Sequence, residues 1–351
     1  MKEGFFRTSL FVGMGAIVAL VAGVLFLNSP PSGAKSGLVE IPAGASARAI
    51  SRQLRDDRRV RSALWLEFLA RVLGADQNLK AGAYRISGPK RADRLLRDLI
   101  DGRGATVRVT IPEGFALWQI AERLEVDGVC RAEDFKTAAG ASEGFLFPET
   151  YFLDPGTPGE EVVRILRARF SSVWREVFQA AMETGAVRVS PDLAAALDGL
   201  PEGVFLLADG RRWTVNHAVT LASLIERETH RPEERAIVSA VYHNRLKKRM
   251  RLECDPTVQY ALGGWKNPLY KKDLLVESPY NTYRRYGLPP GPIASPGRAS
   301  LAAALAPAAA DALYFVSDGA GGHRFSSTYE DHQQAVRLLR RTLRAGRKQV
   351  K

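Results

Sequence analysis

The sequence predicts an α+β protein in three parts: a single N-terminal transmembrane helix, a small α+β subdomain, and a larger, mainly helical domain that ends in a C-terminal β-hairpin. Three observations carry this. Thr8–Leu27, TSLFVGMGAIVALVAGVLFL, contains no charged residue. A strand–turn–helix pattern occurs twice, as Ile41-Pro-Ala-Gly44 with Ile50 and Leu54 and as Ile111-Pro-Glu-Gly114 with Ile120 and Leu124, every position offset by 70. Beyond residue 110 apolar residues recur mostly at helical spacing, until LYFVSDGAGGHRFSST sets two strand-like runs around Gly319–Gly322.

Composition bounds the classes open to this chain. With 351 residues, 46% of them hydrophobic and 25% charged, it is globular rather than disordered or fibrous, and long enough for two cores. Cys130 and Cys254 lie far apart and match no metal-ligand spacing, so neither a disulfide framework nor a zinc site is expected. No His/Cys/Asp cluster has ligand spacing either, and no metal or cofactor is expected. The net charge of +12 comes largely from RQLRDDRRVR, RADRLLRDL, NRLKKRMR and RLLRRTLRAGRKQVK. Acidic residues are interleaved and no nucleic-acid motif accompanies them, which favours a solvated surface near anionic lipid over a nucleic-acid partner.

Taken in order, residues 1–7 form a cytoplasmic N-terminus, with Lys2 and Arg7 on the inner side of the membrane. Residues 8–27 match the roughly 30 Å of a bilayer core. The run is longer than a usual signal-peptide core and lacks a clear A-x-A, so an uncleaved anchor is favoured over a signal peptide. Residues 28–37, NSPPSGAKSG, make a flexible linker to an extracytoplasmic body. Residues 38–109 form the small module: after the first strand–turn–helix copy, Ser62–Leu73 is helical, Ala81–Ile86 a strand, and Arg91–Gly102 helical. Its shape resembles LysM-type modules, which bind glycan; the competing role is a spacer that stands the rest of the chain off the membrane.

Residues 110–351 form the large domain. Asp127–Ala141 is expected to be helical. Ser142–Gly156, SEGFLFPETYFLDPG, then gathers aromatics with Glu143 and Glu149. Such a loop either stacks on sugar faces and binds their hydroxyls, or pins its rings into a core with Glu149 as a salt-bridge partner. Pro158–Thr184 and Pro191–Leu197 are expected helices. The chain is organised around Asn216–Pro232, NHAVTLASLIERETHRP, expected as one helix that stops before Pro232. At 100° per residue Ala218, Leu221, Leu224, Ile225 and Glu228 share its inner face, while Glu226 points away. Burial and the negative end of the helix both disfavour ionisation of Glu228, and a carboxyl kept protonated near neutral pH suits a general acid. A half-exposed, hydrogen-bonded Glu is the ordinary alternative on this helix alone.

Glu233–Met250 is a further helix with Ile237, Val238, Val241, Tyr242, Arg245 and Leu246 on its inner stripe. After it, LECDPTVQYALGG and SPYNTYRRYGLPPGPIASPG read as ordered loops rich in proline and glycine. Asp255, Thr257, Gln259, Tyr260, Asn281, Thr282 and Tyr283 supply hydroxyl, amide and carboxylate groups, a set suited to binding a neutral polar polymer.

In ASLIERET, VYHNRL, MRLECDPTVQYALG, SPYNTYRRYGLPPGPIASPG and YFVSDGAGGHRFS, together with EGFLFPETY and the IPEG repeat, the chain resembles the MltG/YceG-like endolytic murein transglycosylases. The resemblance implies a lyase with a LysM-like subdomain and a mainly helical catalytic domain, anchored by a single pass in the cytoplasmic (inner) membrane and facing the periplasm. It implies cleavage of nascent peptidoglycan strands between N-acetylmuramic acid and N-acetylglucosamine, with cell-wall synthases (penicillin-binding proteins) as partners. The family's catalytic glutamate maps to Glu228; Cys254, beside the DPT motif, departs from the family pattern. Hydrolysis of a glycosidic bond uses two carboxylates, whereas a lytic transglycosylase needs one, because the muramic acid C6 hydroxyl attacks its own anomeric carbon. Glu228 is then expected to protonate the bridging oxygen and take the C6 hydroxyl proton as carboxylate, leaving a 1,6-anhydro end. Asn281, Tyr283, Asp255, Thr257, Gln259 and Glu149 are the expected substrate-binding residues. The rivals are a muramidase-type hydrolase, with Glu149 facing Glu228, and a non-catalytic glycan-binding scaffold.

Overall fold

A computed structural model describes residues 2–76, 79–86, 88–188, 198–266 and 268–349, with side chains from residue 14 to 342. The described chain is mixed α and β and divides into two compact units: residues 1–109 with 151–156, and residues 110–150 with 157–351. The expected helix at 191–197 lies outside the described residues. Helix α1 (Lys2–Asn28) contains the expected membrane span; among the described residues no helix is long and apolar enough to cross a membrane.

The smaller unit is a twisted sheet of order β1-β2-β3-β4 backed by helices. Its strands are β1 (Gly37–Ile41), β2 (Gly82–Ile86), β3 (Ala105–Thr110) and β4 (Thr150–Leu153). β1 and β2 run antiparallel with Gly37 opposite Ile86, and β2 and β3 pair antiparallel at Ala83–Thr106. Strand alternation points Val39, Ile41, Tyr84 and Ile86 inward, against α2 (Ala47–Asp56), α3 (Ala63–Val72) and α4 (Ala92–Asp101). Ser46 and Ser62 start α2 and α3, each side chain accepting the N–H three residues on. The repeat gives the same local structure twice: a strand, a glycine in the left-handed region (Gly44 φ 76°, Gly114 φ 77°), then a helix whose Ile and Leu are buried.

The larger unit is mainly helical: α5 (Leu117–Val126), α6 (Ala132–Ala139), α7 (Gly159–Glu183), α8 (Val215–Glu228), α9 (Arg235–Lys247), α10 (Asp255–Ala261), α11 (Arg298–Leu305) and α12 (Tyr329–Gln349). The helix expected over 127–141 begins only at Ala132, because Asp127 caps the end of α5. Three elements exceed the sequence reading. DPTVQYA is a helix rather than a loop, with its proline in the first turn, where a missing N–H costs nothing. RASLAAAL forms α11, whose Leu301 and Ala304 are fully buried in the core around α8. A short antiparallel sheet joins β5 (Val187–Arg188), β6 (Val204–Leu207) and β7 (Arg212–Thr214). The expected hairpin is present as β8 (Tyr314–Ser317) and β9 (His323–Ser326).

Candidate active site

Helix α8 carries the candidate acid. Thr214 caps its start, accepting from the His217 backbone N–H at 3.2 Å. Thr229 is already extended (φ −132°, ψ 133°), so Glu228 is the last helical residue and the helix stops short of the expected end before Pro232. Thr229 makes that turn: its hydroxyl accepts from Arg231 N–H at 3.1 Å and donates to Glu234 at 3.2 Å. The contrast drawn between the two glutamates also changes. α8 is buried on nearly all sides, and Glu226 is the more enclosed of the pair, ion-paired to Arg235 at 2.9 Å and accepting from Gly297 N–H at 2.9 Å. Both glutamates are packed in, but on opposite faces, and only Glu228 reaches a cleft.

That cleft has a volume of about 310 Å³ and is lined by Glu228, Asp255, Tyr283, Arg245, Phe315 and His323, among others. Glu228 is half-buried at its wall. The Tyr242 hydroxyl donates to its Oε1 at 2.9 Å. Tyr242 is 1% exposed and meets the Phe315 ring edge-on, so its hydroxyl has little freedom to turn away. Burial pushes the Glu228 carboxyl above its ordinary range; hydrogen bonds from Cys254 and Tyr242 pull it down, the Asp255 charge pushes it up, and His323 pulls it down. The balance is a raised carboxyl in a cleft, poised to donate a proton. The same burial pushes the Tyr242 and Cys254 groups well up, so both stay protonated donors.

Of the six expected binding residues, the structure brings two to Glu228. Asp255 and Tyr283 line the cleft and are joined to each other, Tyr283 hydroxyl to Asp255 at 2.6 Å. The other four are not among the residues lining that cleft. Asn281 is wholly buried: its amide donates to Leu274 O at 3.0 Å and Val276 O at 2.8 Å, and its oxygen accepts from Tyr283 N–H at 3.0 Å. It shapes the loop that presents Tyr283. Thr257 is equally buried, donating to Cys254 O at 2.7 Å in the first turn of α10. Gln259 donates to Lys266 O at 2.6 Å and is not among the residues lining the cleft. Glu149 pairs with Arg169 through two contacts of 2.6 and 2.9 Å and is also absent from the lining. The aromatic loop follows suit, with Phe145 and Phe147 buried in the core. Its other acid, Glu143, caps α5 by accepting from Leu117 N–H at 3.1 Å.

Sequence reasoning missed Tyr242, Arg245 and His323 as site residues and took Cys254 only as a departure. Tyr242 and Arg245 had left a signal, being polar on the inner stripe of an otherwise apolar helix. Arg245 uses it to bind the Leu313 and Leu252 carbonyls at 2.7 and 3.0 Å, tying hairpin and loop to the cleft. Both cysteines are free, Cys254 buried and Cys130 half-buried. Among the described residues no three His, Cys, Asp or Glu side chains converge as a metal site.

The sequence profile described as the YceG-like family matches residues 39–338. The chain belongs to the YceG-like family. It is 31% identical over 326 residues to the endolytic murein transglycosylase of Bacillus subtilis (strain 168), covering 85% of this chain and 83% of that one. It is 28% identical to the endolytic murein transglycosylase of Streptococcus pneumoniae serotype 2, covering 85% of this chain but 57% of that longer protein. Its fold is similar to the crystal structure of a YceG-like protein from Listeria monocytogenes, with TM-score 0.55, 30% identity, and coverage of 85% of this chain and 98% of that one.

Proposed function

We propose that this protein is an endolytic lytic transglycosylase of peptidoglycan, cutting nascent strands between N-acetylmuramic acid and N-acetylglucosamine, and that Glu228 is its acid. The carrying observation is the Glu228 carboxyl, raised by burial, facing a cleft at the end of α8 and held by Tyr242. The names of the relatives give the substrate class. Glu228 protonates the bridging oxygen; the C6 hydroxyl of muramic acid attacks the anomeric carbon, gives up its proton and closes a 1,6-anhydro ring. Tyr283 and Asp255 orient the glycan. Residues 8–27 anchor the chain in the cytoplasmic membrane, a role supported by their uncharged sequence. Residues 38–109 are a LysM-like subdomain and 110–351 the catalytic domain, which works outside the cytoplasm beside cell-wall synthases.

A second possibility, a hydrolase, rests on Asp255, a carboxylate in the same cleft. Mass spectrometry of glycan strands incubated with the whole chain and with Glu228→Gln separates the two. Anhydro ends from the wild type and none from the variant are expected. Reducing ends, heavier by one water, would make Asp255 a second catalytic carboxylate; no cleavage by folded protein would leave a binding scaffold.

A further inference from the structure

The turn that ends α8 holds a second proton carrier beside the first. Glu234, 8% exposed and six residues past Glu228, takes three hydrogen bonds. The Thr229 hydroxyl donates to Oε2 at 3.2 Å, the His323 backbone N–H to Oε1 at 2.9 Å, and the His323 ring meets Oε2 through Nδ1 at 2.6 Å. A carboxylate against Nδ1 fixes the proton there and leaves Nε2 as the basic nitrogen. His323 lines the cleft that Glu228 lines, so Nε2 is the ring nitrogen left to it. The ring is braced by Phe315, edge to face at 5.3 Å. The backbone is built for this contact as well. A Cβ on Gly322 would sit 2.7 Å from Glu234 Oε1 and 2.8 Å from the Arg231 guanidinium, so a larger residue there would make one of these side-chain ends shift. Asp318 in turn accepts from Ala320 and Gly322 N–H at 2.7 and 3.0 Å, setting the hairpin turn.

We propose that His323, oriented by Glu234, is a second catalytic residue of the cleft and takes the proton of the attacking hydroxyl. This rests on Glu228 being the acid of a lytic transglycosylase. In the step, the O6–H proton passes to His323 Nε2, the O6–C1 bond forms, the C1–O4 bond breaks, and O4 takes the Glu228 proton. The net transfer runs from Glu228 to His323, and solvent returns the proton between turnovers. One carboxyl could serve both transfers in turn, giving its proton to O4 and then taking that of O6; with His323 in the same cleft the two transfers are divided between two groups. Glu234, which does not line the cleft, is a positioning residue.

The test uses the whole chain, scoring anhydro ends by mass spectrometry. His323→Asn retains a donor in the place of Nδ1 for Glu234 but offers no base, and should lower kcat by about 10²-fold or more with KM for strands unchanged. Imidazole added to His323→Gly should restore part of the rate, which a merely structural histidine would not allow. Unchanged kcat in His323→Asn would overturn the proposal and return both transfers to Glu228. A low rate with raised KM and no imidazole rescue would reduce His323 to a structural part and overturn it equally. A wild type that leaves reducing ends, by contrast, would sink the lyase itself.

Discussion

Glu143 offers a quantitative check on how this domain treats its buried acids. Its carboxyl is pushed from the ordinary 4.5 up to about 7, chiefly by burial, against hydrogen bonds from Leu117 and Tyr260. The sign follows from linkage. Below pH 4.5 both folded and unfolded chains hold the proton; between 4.5 and about 7 the unfolded chain releases it while the folded one does not. Stability from this group is therefore full below 4.5 and is lost progressively until pH passes the folded value. At about 1.4 kcal/mol per pH unit, the loss across that window is about 3 kcal/mol. Glu143→Gln keeps an oxygen to accept from Leu117 N–H and an amide for the Tyr260 hydroxyl, yet has no proton to lose. Urea unfolding at pH 4.5 and 8 should show the wild type losing about 3 kcal/mol more than the variant over that interval. Equal losses in the two proteins would refute the burial reasoning, and with it the physical basis on which Glu228 is read as a raised acid.

Two substitutions around Glu228 should move its proton in opposite directions. Tyr242→Phe removes a donor that favours the carboxylate, raising Glu228 further and carrying the alkaline limb of the pH–rate profile to higher pH; Asp255→Asn removes a repelling charge and should carry it lower. Shifts in the same direction would contradict the assignment of that limb to Glu228. Glu226→Ala strips the Arg235 guanidinium of its closer, buried partner, leaving it the half-exposed Glu113 at 3.4 Å, and should cost about 3 kcal/mol in chemical denaturation, since a buried charge with a weakened partner is expensive. A loss no larger than that of an exposed pair would mean the site is wetter than its packing indicates.

What was legible in the sequence was whatever periodicity and local chemistry fix. The Ile-Pro-x-Gly turns, the hairpin glycines and helices α2, α4 and α7 are set within one turn or one strand of the residues that decide them, and these elements stand where they were expected. Glu228 was readable because an acid recurring with Ala218, Leu221 and Ile225 breaks an apolar face. The structure decided the rest. Asn281 and Thr257 are polar, as Tyr283 and Asp255 are, and nothing local says that the first pair is spent on backbone carbonyls while the second lines a cleft. Glu149 could equally have faced sugar until Arg169, a helix away, claimed it. Glu226, placed on the far side of one helix, is buried because α9 and the Gly297 loop cover that side. His323 lies 95 positions from Glu228 and shares its cleft only because the hairpin folds onto Glu234. The sequence by itself determined the repeated strand–turn–helix units, most of the helices and the C-terminal hairpin, and which residue was the strongest acid candidate; tertiary packing decided the remaining elements and which polar groups are left over to face a substrate, because burial and hydrogen-bond satisfaction depend on neighbours distant in the chain.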